Sequence, residues 1–153
     1  MTSKPDISVF RPDRPGIRKV LGDLEAEIME YIWTRPVERG TTVRDVFETL
    51  YERRQADKRR SIAYTTVMNT MVRLAKKNLL RVEKQDQAYI YYPNFTQEEF
   101  VSRFVGRILE DLLVNFSGAT LENLNALPDQ QTASQVRQML DEITRRRAKE
   151  EKE

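Results

Sequence analysis

Apolar residues first settle into a helical period at Leu21, Leu24, Ile28 and Ile32, with Asp23, Glu25, Glu27 and Glu30 expected to face away from them. That helix ends before Pro36. Thr42 and Asp45 have the spacing of a capping box, and Val43, Val46, Phe47 and Leu50 form the stripe of a second short helix closing around Arg53. The polar run ERRQADKRR, Glu52 to Arg60, then reads as a loop or a frayed helix end. In IAYTTVMNTMVRLAKKNLL, Ile62 to Leu80, the residues Val67, Thr70, Met71 and Leu74 share one helical face. Thr65, Met68, Asn69, Val72, Arg73 and Lys76 share the other. This third helix is expected to stop near Asn78, a residue that tolerates left-handed backbone. LLRVEKQ and AYIYYPN, flanking Gln85, Asp86 and Gln87, switch to strand-forming residues and predict a hairpin.

Beyond Pro93 the period is helical again. Thr96 serves as an N-cap, Glu98 and Glu99 suit a first turn, and Phe100, Val101, Phe104, Val105, Ile108, Leu109, Leu112 and Leu113 make a wide apolar stripe. After Ser117 and Gly118 a shorter helix carries Leu121, Leu124 and Leu127. Pro128 and Asp129 open a last helix marked by Ala133, Val136, Met139, Leu140 and Ile143. The predicted fold is mainly α with a small β-hairpin wing: a winged helix-turn-helix domain over 20–93 and a helical domain over 94–146. Residues 1–19, with Pro5, Pro12, Pro15 and Gly16, read as an extended arm made basic by Arg11, Arg14, Arg18 and Lys19. Residues 147–153 read as a charged, solvated tail.

Three small helices cannot easily bury two apolar faces alone, so the C-terminal domain is expected to pair with a second copy, the competing reading being that it packs back on the N-terminal domain. The expected dimer contacts are Phe100, Phe104, Val105, Ile108, Leu112, Leu124, Val136, Leu140 and Ile143.

Composition narrows the chemistry. The 153 residues include no cysteine and no histidine, which excludes thiolate and imidazole metal sites, disulfides and the common nucleophile pairs, so an enzyme is not expected. No cofactor signature is present. The longest apolar runs are too short for a membrane span or a signal peptide, and a cytoplasmic location is expected. The net charge is only +2, but its distribution is uneven. Residues 1–93 carry 18 Lys and Arg against 13 Asp and Glu, and residues 94–153 carry 8 against 11. The N-terminal part is the one suited to a polyanion.

A helix that reads DNA presents short polar groups near its N-terminus, where it enters the major groove. Tyr64, Thr65, Thr66 and Asn69 match, and Met68 offers an apolar contact to a thymine methyl. Arg73, Lys76 and Lys77 lie further along and suit phosphates, as do Arg81 and Lys84 in the wing and the Arg53 to Arg60 cluster. Each has a purely structural reading as well. Tyr64 could close the core, Thr65 or Thr66 could be an N-cap, and Lys76 with Lys77 could complement the helix dipole.

The stretch from LGDLEAEIMEYIW through TTVRDVFETL and AYTTVMNTMVRLAKKNLL to AYIYYP resembles the BlaI/MecI penicillinase-repressor family over roughly residues 20–116. The resemblance implies a dimeric winged-helix repressor with a helical dimerisation domain, bound to double-stranded DNA at a palindromic operator. It also implies release by a membrane metalloprotease sensor that triggers cleavage at an Asn-Phe bond. The nearest equivalent in ENLNALPD is Asn125 and Ala126, which departs from that pair. The family's copper-responsive branch carries a Cys-x-Cys site, which this chain lacks. Two other readings compete: a protein interaction module on a winged-helix scaffold, and a winged-helix regulator that senses a ligand.

Overall fold

The computed structural model describes the backbone of residues 4–126 and 130–152; side chains at 130–133, 143, 144, 147, 148 and 150–152 lie outside the description. Leu127, Pro128, Asp129 and the side chains of Ala133 and Ile143 therefore fall outside the described residues. Two compact units form, Met1–Ser102 and Arg103–Glu153.

In the first unit, helix α1 spans Asp23–Thr34 and starts from an extended Gly22 whose N–H donates to Glu25 Oε1 at 2.9 Å. It stops at Thr34 because Arg35 must turn extended ahead of Pro36. Ala26, Ile28, Met29 and Ile32 are buried, while Leu24 is only partly so. Glu25 departs from the expected outward face: it is 7% exposed, because its carboxylate turns inward to cap the helix and meet a lysine.

Helix α2, Val43–Arg53, begins with the expected capping box. The Asp45 N–H donates to Thr42 Oγ1 and the Thr42 N–H to Asp45 Oδ2, each at 3.1 Å. Helix α3 spans Tyr64–Lys76 and buries Val67, Thr70, Met71 and Leu74, the face that its spacing predicts. Thr70 is accommodated there because its hydroxyl donates to the Thr66 carbonyl at 2.7 Å. Asn78 ends the helix in the left-handed region, with φ 65°.

Strands β1, Leu80–Gln85, and β2, Ala88–Pro93, pair antiparallel through a two-residue turn in which Asp86 and Gln87 both have positive φ. Both angles match the turn type whose twist suits a hairpin. Thr41 adds a short third edge, exchanging both backbone hydrogen bonds with Tyr91 at 2.9 and 2.8 Å. Gly40, at φ 68° and ψ 176°, brings the chain onto this edge in a conformation open only to glycine, and a Cβ there would meet Ile90 and Tyr92.

The N-terminal segment is docked rather than a free arm. Its Asp6 N–H donates to the Lys77 carbonyl at 2.8 Å, and a 3-10 turn over Gly16–Lys19 puts Ile17 into the core beside Val20 and Leu21. Its cations are largely committed. Arg14 pairs with Asp23, Arg18 lies 3.4 Å from Asp23 and 3.5 Å from Glu30, and the Lys19 ammonium donates to the Pro12 carbonyl at 2.9 Å. The expected boundary after residue 19 thus cuts a segment that contributes to the core.

Helix α4, Gln97–Asn115, starts at Thr96 with a second capping box: the Glu99 N–H donates to Thr96 Oγ1 at 3.1 Å. Its first turn belongs to the first unit, whose boundary falls after Ser102 rather than at Pro93. Phe100 is fully buried against Trp33, ring centroids 5.7 Å apart, and Trp33 Nε1 donates to the Phe95 carbonyl at 2.9 Å. Phe100 is therefore a core residue of the first unit and not the dimer contact expected from its place in the stripe.

In the second unit, α4 breaks at Phe116, φ −141° and ψ 51°, and α5 spans Ser117–Asn125. Helix α6 spans Gln130–Lys152, so the charged end is helical nearly to its last residue, consistent with its Arg, Ala, Lys and Glu content. Gly40→Ala should lower unfolding stability by about 1–3 kcal/mol, measured by urea titration. An unchanged midpoint would show that the hairpin edge does not need this glycine.

Candidate nucleic-acid interface

The solvent face of α3 follows from the burial of the other. With Val67, Thr70, Met71 and Leu74 inside, Thr65, Met68, Asn69, Val72, Arg73 and Lys76 are all exposed, as are Tyr64 and Thr66. From Thr65 to Lys76 this stripe runs about 16 Å along the helix axis. Short polar groups occupy its N-terminal half and cations its C-terminal half. The N-cap is Ala63, which makes no side-chain capping bond, so Thr65 and Thr66 are first-turn residues rather than caps. Leading N–H groups of α3 are thereby left without a capping side chain, at the positive end of the helix dipole.

Tyr64 is packed on one side and open on the other. Its ring meets Phe47 edge-on at 5.5 Å, and Phe47 in turn meets Tyr51 at 5.7 Å, yet Tyr64 stays 45% exposed. The aromatic contact joins the start of α3 to α2.

The paired lysines separate. Lys76 is exposed, whereas Lys77 donates to both Glu25 oxygens, at 2.8 and 3.1 Å, and its side chain is only 26% exposed. Lys77 is thus engaged inside the unit instead of standing free for phosphate. Arg73 bridges the two situations: its side chain is 59% exposed, with Nε 3.8 Å from the same carboxylate and Nη2 donating to Thr70 Oγ1 at 3.3 Å.

Burial penalises the Glu25 carboxylate, but the Lys77 hydrogen bonds, the Gly22 N–H and the charges of Lys77 and Arg73 outweigh that penalty and hold its pKa below the ordinary 4.5.

In the wing, Arg81 stacks over the Tyr92 ring at 4.8 Å with Nε 3.5 Å from Glu83, while Lys84 stands 6.0 Å from the Tyr89 ring directly opposite it. Both cations are exposed, but odd and even positions of a strand point to opposite faces. One face of the hairpin therefore cannot present both.

Among the residues expected at a dimer interface, Phe104 and Leu140 are buried within the single chain. Val105 and Leu112 are 39% and 40% exposed, and Ile108, Leu124 and Val136 are intermediate. Sequence reasoning passed over Phe116, 63% exposed, Leu121 and Met139, which are also exposed. It also passed over two literal Asn-Phe pairs, Asn94–Phe95, whose ring is buried, and Asn115–Phe116. The second pair sits at the break between α4 and α5, whereas Asn125 closes α5 with its side chain accepting from Arg137. Of the two Asn-Phe pairs, Asn115–Phe116 is the one with an exposed ring, Phe95 being only 6% exposed.

Three helices, of which the second and third form the helix-turn-helix, followed by a hairpin wing, define a winged-helix protein. Residues 21–145 match the penicillinase repressor family, and the chain belongs to it. It is similar to the transcriptional regulator BlaI of Mycobacterium tuberculosis, from strains CDC 1551 / Oshkosh and ATCC 25618 / H37Rv. Each is 43% identical over 82 residues, covering 54% of this chain and 54% of the relative. The chain thus matches about half the length of these curated relatives.

Because Glu25 is held below 4.5 in the folded state, its contribution to stability is complete above that value and is lost as pH falls through the lowered pKa. Glu25→Gln should therefore flatten the acid limb of the stability profile and cost about 1–3 kcal/mol at neutral pH. Parallel acid limbs in chemical denaturation would show that the Lys77 pair does not contribute.

Proposed function

We propose that this chain is a DNA-binding transcriptional repressor that acts as a homodimer in the cytoplasm. The observation that carries the reading is the solvent face of α3, where Thr65, Thr66, Met68 and Asn69 precede Arg73 and Lys76 on one exposed stripe. In the major groove the first four read base edges, with Asn69 suited to a bidentate pair with adenine and Met68 to a thymine methyl. Arg73 and Lys76 meet phosphates, joined by whichever one of the wing cations, Arg81 or Lys84, lies on the face turned to the DNA. Membership of a family described as repressors, and likeness to a regulator of transcription, support this over an enzyme or a bare scaffold. Among the described residues no helix is long and apolar enough to cross a membrane.

The dimer draws support from the apolar side chains exposed on the second unit, Val105, Leu112, Phe116, Leu121 and Met139. Two copies joined there read a palindrome with half-sites about one helical turn, or a multiple of it, apart. Release by a membrane metalloprotease sensor, as the family resemblance implies, then acts at Asn115–Phe116, where the non-helical backbone and exposed ring suit a protease cleft.

Asn69→Ala should lower affinity for a duplex selected from a random pool by about 1–3 kcal/mol while sparing random duplex. Lys76→Ala should weaken both alike and reduce the salt slope by about 1. Equal losses on both duplexes for Asn69→Ala, measured by fluorescence anisotropy, would remove Asn69 from base readout. In cells that also produce a family sensor, mass spectrometry should find a fragment ending at Asn115, which Phe116→Ala suppresses. A fragment ending at Asn125 would reinstate the other position.

A further inference from the structure

Two helices of a helix-turn-helix are ordinarily joined by a turn of about 3–4 residues. Here α2 ends at Arg53 and α3 begins at Tyr64, leaving a connection of ten residues, 54–63. That length is not slack. The Asp57 N–H donates to the Arg54 carbonyl at 3.1 Å, and Lys58–Arg60 form a 3-10 turn capped by the Asp57 side chain, which accepts from the Arg59 N–H at 3.0 Å. The root of the connection is pinned to α1, since Arg54 Nη2 lies 2.6 Å from Glu27 Oε2 with both side chains mostly buried. Beyond that root, Lys58, Arg59 and Arg60 are exposed, and among the described residues no carboxylate pairs with any of them.

Position decides what these three charges can do. Arg60 precedes the N-cap residue Ala63 by three positions, so their Cα atoms are separated by no more than about 11 Å. The major groove is about 12 Å wide, so a cluster this close to the end of α3 that enters it reaches a backbone strand at the groove edge. The wing follows the opposite end of α3, beginning at Leu80.

We propose that the 54–63 connection is a second phosphate clamp, in which Lys58, Arg59 and Arg60 hold the DNA backbone flanking the N-terminus of α3 and carry no sequence information. This rests on the reading of α3 as the DNA-reading helix. The clamp enlarges the footprint of each protomer on the side away from the wing and strengthens binding to any duplex. Specificity stays with α3.

The test uses the full-length chain and its variant Lys58→Gln/Arg59→Gln/Arg60→Gln, with salt titrations on a duplex selected from a random pool and on a random duplex. Each lost phosphate contact lowers the slope of log K against log salt by about 0.9, so the variant should lose up to about 2.7 on both duplexes. The affinity ratio between the duplexes should stay constant, and hydroxyl-radical footprints should shorten on the flank near the start of α3. An unchanged slope with the parent still bound overturns the clamp alone. A changed affinity ratio overturns its sequence independence. A parent that binds neither duplex overturns the repressor reading together with the clamp. The three side chains are exposed, so equal thermal unfolding of parent and variant is expected; Lys58→Glu, which reverses one charge, should lower the slope on its own if the triple variant unfolds.

Discussion

Burial of Val67, Thr70, Met71 and Leu74 is the constraint on which the remaining features depend, because a helix committed on one side has its opposite side chosen for it. Each of these residues is at most 1% exposed. Rotating α3 so that Thr66, Asn69 and Arg73 turned inward would bring polar or charged side chains into that space, at a cost of several kcal/mol for an unpaired buried group. The stripe that includes Thr65, Asn69 and Lys76 is therefore held in orientation by packing. The ends of the helix are secured separately, by the Tyr64–Phe47 contact at its start and the Lys77–Glu25 pair at its finish.

Glu25 shows how one carboxylate serves several elements. It caps α1, neutralises Lys77 beyond the end of α3 and lies near Arg73, while the Lys77 carbonyl receives the Asp6 N–H of the N-terminal segment. A cation that seemed free for phosphate is thus part of the scaffold. The exposed face of α3 thus carries short polar groups foremost and Arg73 and Lys76 behind them, with Lys77 withdrawn. Charge on the 54–63 connection and on the wing then lies near opposite ends of the helix rather than along it.

Much of the fold was legible in local patterns. The capping boxes at Thr42 and Thr96, the left-handed stop at Asn78, the two faces of α3 and the two-residue hairpin all depend on residues within a few positions of one another. Periodicity and turn chemistry carry that information. The N-terminal segment misled because proline content argues only against helix and says nothing about docking; the Asp6 bond to Lys77 joins residues far apart in the chain. Phe100 misled for a related reason. It lies on the same apolar stripe as Phe104 and Val105, and a stripe does not say where one partner ends and the next begins.

The sequence by itself determined the order and type of the elements and the face of α3 that meets solvent, because these are set by the 3.6-residue and two-residue periods of the chain. Only the tertiary structure decided which charges are free. Lys76 and Lys77 are neighbours in composition and in pattern, yet one is exposed and the other is paired with a carboxylate 52 residues away. Pairing depends on which side chains the packing of α1 against α3 brings together, and burial then makes the pair hard to separate. For the same reason Arg54 is anchored on Glu27 while Lys58, Arg59 and Arg60, a few residues further on, remain open to an external anion.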